Sequence, residues 1–228
     1  MTDFLSGCKL TYFDMPGRAE PIRLAFAIGN VAFADERIEF ARWKEVKPTM
    51  PMGSLPVLTL ANGVQIPQAR AIARLVARSV DLYPSDLTQA CLCDSLMDSC
   101  DDLGVSVNAE GRGMEQSAKE KARLEGITSG SQFAYLQKID AFIAKHGSNG
   151  YAVGAELTIA DLFVFAVLTT VISGFYDGIP PTALDPFPSI QAVRKTVGSH
   201  ERVISYYANR GELKNPIEAF LKSACGAL

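Results

Sequence analysis

The sequence predicts an α/β unit over residues 1–80, a linker over residues 81–86 and an all-helical remainder over residues 87–228. Three observations carry that reading. The β pattern Leu10-Thr11-Tyr12-Phe13 breaks at Asp14-Met15-Pro16-Gly17 and resumes at once as a helical pattern. Two short apolar runs, Val57-Leu58-Thr59-Leu60 and Val64-Gln65-Ile66, flank Asn62-Gly63, the favoured type I′ hairpin pair. Beyond Asp86 no strand pattern returns, while apolar residues recur at helical spacing.

In order along the chain, the first strand ends at Tyr12-Phe13. The helix that follows places Glu20 and Pro21 in its first turn and closes at Gly29-Asn30. The alternation of Phe33 to Phe40 predicts a second strand, and Ala41 to Pro48 holds the single tryptophan, Trp43, with Lys44 and Lys47. The loop Thr49 to Pro56 leads into the hairpin, and Gln68 to Ser79 predicts a helix with Ile72, Leu75 and Val76 on one stripe. The order is β-α-β, then β-β-α.

After the linker, Leu87 to Leu103 reads as a helix, and Ser117 to His146 as a helix bent near Gly126 to Gly130. Leu157-Thr158-Ile159-Ala160-Asp161-Leu162 opens a central helix: Thr158 is the N-cap, Asp161 returns a bond from N3, and Leu157 and Leu162 form a staple. Further helices are expected near Ser189 to Gly198 and from Pro216.

Composition narrows the function. A net charge of −3 and pI near 5.5 lack the basic footprint of a nucleic-acid binder. The longest nearly apolar run, Leu162 to Ile172, is too short to span a bilayer, and Met1-Thr2-Asp3-Phe4 does not begin a signal peptide, so a cytoplasmic protein is expected. The five cysteines include no CxxC pair, and the two histidines, His146 and His200, lie at no metal-ligand spacing; no metal site is expected. A strand running through a tight turn into a helix puts Tyr12 where ligands bind in α/β sheets, although an isolated tyrosine there is also a common packing residue.

This layout, with Leu10-Thr11-Tyr12-Phe13, Gly17-Arg18-Ala19-Glu20, Trp43…Lys47, Leu55-Pro56-Val57-Leu58, Gln68-Ala69-Arg70-Ala71-Ile72-Ala73-Arg74 and Leu157-Thr158-Ile159-Ala160-Asp161, resembles cytosolic glutathione transferases of the sigma class. That class includes glutathione-dependent prostaglandin D synthases and the lens S-crystallins. The resemblance implies a thioredoxin-like, glutathione-binding N-terminal domain and an all-helical C-terminal domain.

The resemblance also implies roles. Tyr12 would donate its O–H to the glutathione sulfur, stabilising the nucleophilic thiolate. The turn Leu55-Pro56 is similar to the family's cis-proline turn, in which the Leu55 backbone pairs with the cysteinyl amide. Trp43 and Lys47 match residues near the glycyl carboxylate. Gln68 and Ala69 match a Gln-Ser pair at the γ-glutamyl carboxylate, with one hydroxyl lost at Ala69. Arg18 matches a site-lining residue, and bracing the first helix is an equal alternative. Phe13 and Met15 would line the electrophile pocket, to which Leu103 to Ala109 adds no aromatic residue.

The stripe Asp94, Asp98, Asp101 and Asp102 occupies one helical face. By itself it reads as a solvated face. By resemblance it lies at a homodimer interface, where Asp102 reaches the γ-glutamyl amine held by the partner. Asp98 and Asp101 with their symmetry mates are similar to the divalent-cation ligands of prostaglandin D synthases.

The expected function is therefore conjugation of glutathione, as co-substrate and with no other cofactor, to small hydrophobic electrophiles in detoxification. The alternative is a non-catalytic, S-crystallin-like protein that keeps the fold. A thiol transferase built on Cys8 fits poorly, since Cys8 precedes the strand whose far end carries Tyr12.

Overall fold

A computed structural model of the chain describes residues 3–210 and 215–225. The strands β1 (Lys9–Phe13), β2 (Ala34–Ile38), β3 (Val57–Thr59) and β4 (Gln65–Pro67) form one sheet in the order β2-β1-β3-β4. Helix α1 (Glu20–Ile28) carries the crossover that makes β1 and β2 parallel, with Tyr12 opposite Arg37. The other two pairings are antiparallel. Leu10, Thr11 and Tyr12 are all buried, as expected of an inner strand covered on both faces.

The hairpin forms where Asn62-Gly63 placed it, but not as a type I′ turn. Among these residues only Gly63 has a positive φ, at 85°. Its N–H donates to the Leu60 carbonyl, and the Leu60 N–H donates to the Val64 carbonyl. A three-residue loop closed by one left-handed glycine is the bulged form of hairpin. Asn62 acts through its side chain instead, accepting the Val64 N–H at 3.1 Å.

A single helical turn, α2 (Trp43–Val46), follows β2, and α3 (Ala69–Ser79) follows β4. Beyond the linker come α4 (Leu87–Ala109), α5 (Gln116–Thr128), α6 (Ser131–His146), α7 (Ile159–Val171), α8 (Pro188–Gly198), α9 (Glu201–Ala208) and α10 (Pro216–Ser223). Three expectations need correction. α4 runs to Ala109 rather than Leu103, because Leu96, Cys100, Leu103 and Val107 extend one buried stripe by a further turn. The segment Ser117 to His146 is two helices, parted at Ser129-Gly130, where both N–H groups return to the Glu125 carbonyl. α9 carried no sequence signal; it buries only Val203 and Tyr207, and its cap is His200, whose Nδ1 accepts the Arg202 N–H.

α7 is the axis of the helical unit. Eleven of its thirteen residues are buried, and it packs against α4, α8 and α1. Burying each large apolar side chain there is worth about 1.5–3 kcal/mol. Its start is set by Asp161, whose carboxylate accepts the Thr158 N–H at 2.7 Å, the Thr158 hydroxyl at 2.8 Å and the Ala152 N–H at 2.6 Å. Burial nonetheless pushes the Asp161 carboxyl up to about 6.

A charged cluster joins the two units beside the turn after β1. Arg23, fully buried, pairs with Glu20 at 3.1 Å and Asp35 at 3.0 Å and donates to the carbonyls of Met15 and Pro16. Arg37 and Arg210 bridge Asp35 to Glu218 of α10, and the Tyr207 hydroxyl donates to Glu20 at 2.8 Å. Three guanidinium groups thus face three inner carboxylates, which is the condition for burying charge at tolerable cost.

Candidate active site

Two adjoining cavities open where the sheet meets α4 and α7, one of about 320 Å³ and one of about 300 Å³, sharing Arg18, Leu55, Asp101 and Val105. The smaller is polar and is lined by Ser54, Pro56, Gln68, Ala69, Arg70 and Asp102 as well. The larger holds Tyr12 and an apolar wall of Phe13, Met15, Val167, Val171 and Phe175.

Tyr12 is 7% exposed, and its oxygen accepts the Arg18 N–H at 3.3 Å. That leaves the phenolic hydrogen to donate into the cavity. Burial pushes the phenol above its ordinary value, only partly opposed by the Arg18 N–H and by the Arg18 and Arg23 charges, so the hydroxyl is protonated at neutral pH. The Arg23 guanidinium lies 5.9 Å from the Tyr12 ring centre. Gly17 makes room for the hydroxyl: its φ is +47°, and a Cβ there would stand 2.6 Å from the phenolic oxygen.

On the polar side the Leu55–Pro56 peptide is cis, as its likeness to the family turn implied. Gln68 precedes α3 at φ 76° and ψ 109°, a conformation that a non-glycine residue holds at some cost and that is common at ligand sites. The free N–H groups of the first turn of α3 begin beside it, at Ala69. Asp101 is bound by Arg70 at 3.1 Å, and burial, opposed by Arg18 and Arg70, raises its carboxyl. Asp102 is exposed, lines the cavity and has no ion pair among the described residues.

The other acids of the stripe meet α3. Arg70 reaches Asp98 at 3.0 Å, and Arg74 reaches Asp94 at 2.7 Å and Asp98 at 3.8 Å. Two arginines one turn apart thus neutralise a helical face that reads as repulsive in sequence. With Asp98 and Asp101 both on Arg70, this pair is not a vacant donor set for a cation.

Comparison with known proteins fits this arrangement. Residues 111–210 match the family model described as the C-terminal domain of glutathione S-transferase. The chain is 32% identical over 207 residues to the hematopoietic prostaglandin D synthase of Homo sapiens, covering 90% of this chain and 98% of that one. This chain belongs to the glutathione S-transferase family. It is 30% identical over 206 residues to S-crystallin SL11 of Nototodarus sloanii, covering 88% of this chain and 95% of that one. It superimposes on the sigma class transferase of Fasciola hepatica with a TM-score of 0.78 at 28% identity, covering 92% and 98% of the two chains.

Within this family member, Tyr12, Arg18, Leu55, Pro56, Gln68, Ala69, Asp102, Phe13 and Met15 converge on the paired cavities. Trp43 and Lys47 line neither cavity. Trp43 packs edge-on against Phe13, with ring centres 5.3 Å apart, and Lys47 lies along Gly53. Sequence reasoning named Asp101 only within the acidic stripe and Arg70 only within the Gln68 to Arg74 motif, and it missed Phe175 and Tyr176; all four also line the site. The last two follow Gly174, a glycine between an apolar run and an aromatic pair, and that was the available signal. Burial raises the Cys8 thiol, which makes it a poor nucleophile.

Proposed function

We propose that the chain is an enzyme, a glutathione S-transferase that joins the glutathione thiolate to small hydrophobic electrophiles in detoxification. The observation that carries this reading is a protonated, backbone-anchored phenol, Tyr12, in an apolar cavity that continues into a polar one. In this reading the peptide lies along the polar cavity. Its γ-glutamyl carboxylate meets Gln68 and the N-terminus of α3, its cysteinyl amide pairs with the Leu55 backbone, and its sulfur lies against Tyr12. Trp43 and Lys47 receive the glycyl carboxylate from the edge.

Tyr12 then acts as a donor to sulfur. A hydrogen bond that favours the thiolate lowers the thiol pKa and raises the reactive fraction at neutral pH. Phe13 and Met15 orient the electrophile, and Arg18 holds positive potential between the cavities. The working form is a cytoplasmic homodimer in which Asp102 accepts from the γ-glutamyl ammonium bound by the partner.

Turnover of a panel of small electrophiles, measured beside glutathione binding, tests the reading. Conjugation is expected, and Tyr12→Phe should lower it roughly 10²–10³-fold while raising the pKa of the bound thiol. Glutathione binding without turnover would assign the chain to the non-catalytic, S-crystallin-like alternative.

A further inference from the structure

A third cavity, of about 320 Å³, adjoins the one that holds Tyr12, and the proposed thiolate chemistry leaves it unused. Its apolar lining is Met15, Phe40, Phe175, Pro216 and Ile217, the last two from the start of α10. Met15 and Phe175 also line the Tyr12 cavity, so the two spaces share a wall. Phe40 joins them a second time: its ring stacks on that of Phe13, a residue of the Tyr12 cavity, with centres 4.5 Å apart.

The polar side chains on this third cavity are already spent on backbone. The Ser173 hydroxyl donates to the Thr170 carbonyl at 2.8 Å and accepts the Phe175 N–H at 3.4 Å. Asn215 donates to the Asp14 carbonyl at 3.2 Å and accepts the Ile217 N–H at 3.0 Å. Among the described residues no charged side chain lines the space. A polar ligand would lose water here and gain few partners. An apolar one would cover rings that now face solvent, for Phe40 is 63% exposed and Phe175 47%.

The same contacts fix the shape of the cavity. The Asn215 bond ties the start of α10 to the turn that carries Met15, and Arg23 holds the Met15 carbonyl at 2.9 Å. Glu218, next along α10, pairs with Arg37 at 3.3 Å. Both walls therefore stand in place before a ligand arrives, which lowers the ordering cost of binding.

We propose that this cavity is a subsite for the unbranched apolar tail of the electrophile, which makes long-chain alkyl electrophiles better substrates than short ones. The reactive carbon lies against the glutathione sulfur beside Tyr12, and the tail passes Met15 and Phe175 to rest on Phe40 and Ile217. The inference rests on the transferase reading above and adds to it a preference for chain length.

The test reacts ethyl, butyl and octyl iodides with glutathione. Sulfur bonds to the terminal carbon, iodide leaves with the electron pair of the C–I bond, and the thiol proton passes to solvent. Relative to the uncatalysed reaction, kcat/KM should rise about two- to four-fold for each methylene added, mostly through KM. Phe40→Ala removes one wall at an exposed position, and Ile217→Trp fills the cavity. The first should lower kcat/KM for octyl iodide about five-fold and the second more than about ten-fold, with ethyl iodide within about two-fold in both. Should Ile217→Trp fail to fold, as thermal unfolding would show, Phe40→Ala decides alone. A length trend untouched by the substitutions would put the tail elsewhere, and equal losses for ethyl and octyl iodides would make these residues structural; either result overturns the proposal. If the chain conjugates chlorodinitrobenzene but shows no trend along the iodides, only this inference falls. If it conjugates neither, the transferase reading falls with it.

Discussion

Gly17 and Tyr12 are matched by shape: the phenolic oxygen occupies the space in which any other residue at position 17 would place its Cβ, 2.6 Å away. The same turn supplies the Arg18 N–H that anchors that oxygen. A left-handed backbone at φ +47° adds a second reason for glycine. Gly17→Ala should therefore displace the Tyr12 hydroxyl and lower turnover nearly as far as Tyr12→Phe does. It should also cost about 1–2 kcal/mol of stability, from the left-handed penalty. Conjugation rates and thermal unfolding read the two effects, and full activity in Gly17→Ala would show that the phenol is not held by this turn.

Ala69 lines the polar cavity at the first residue of α3, beside the Gln68 side chain and the free N–H groups of the helix end. A hydroxyl here would add one donor to a bound carboxylate. Ala69→Ser should tighten glutathione by about 0.5–1.5 kcal/mol, measured by calorimetry. No gain would indicate that Arg70 already fills that place.

The acidic stripe divides into paired and unpaired members. Asp102 has no ion-pair partner among the described residues, so Asp102→Asn should weaken glutathione binding several-fold in the dimer and leave folding unchanged. Asp94 is 2.7 Å from Arg74, with both side chains partly exposed, so Asp94→Asn should cost about 0.5 kcal/mol of stability and leave binding alone. Isothermal titration beside urea unfolding separates the two. A binding defect in Asp94→Asn equal to that in Asp102→Asn would undo the distinction.

Asp35 anchors the charged cluster. Burial alone would raise its carboxyl, but Arg23 and Arg37 more than offset that and hold it below the ordinary carboxylate value. Because the folded pKa is depressed, its stabilisation is present above the ordinary value of about 3.9 and is lost as pH falls through the lower folded one. Asp35→Asn should cost about 3 kcal/mol at pH 7, since it leaves Arg23 short of a partner, and progressively less below about pH 4. Denaturant unfolding at both pH values measures this, and a penalty independent of pH would contradict it.

The sequence by itself determined the strands and most of the helices, because turn chemistry at Asp14 to Gly17 and Asn62-Gly63 and the capping pair Thr158 and Asp161 act within a few residues. It also placed Tyr12, Leu55-Pro56 and Gln68 at element ends, where local backbone puts ligand-binding groups. Only the tertiary structure decided the type of hairpin turn, the full length of α4 and the existence of α9, since each depends on what its side chains pack against. It likewise decided that Arg70 and Arg74 answer the aspartates of α4, that Trp43 leans on Phe13, and that Tyr176 shares a cavity with Tyr12. Those pairs are far apart in the chain; their meeting is set by how the sheet, α4 and α7 close on one another, which no local pattern records.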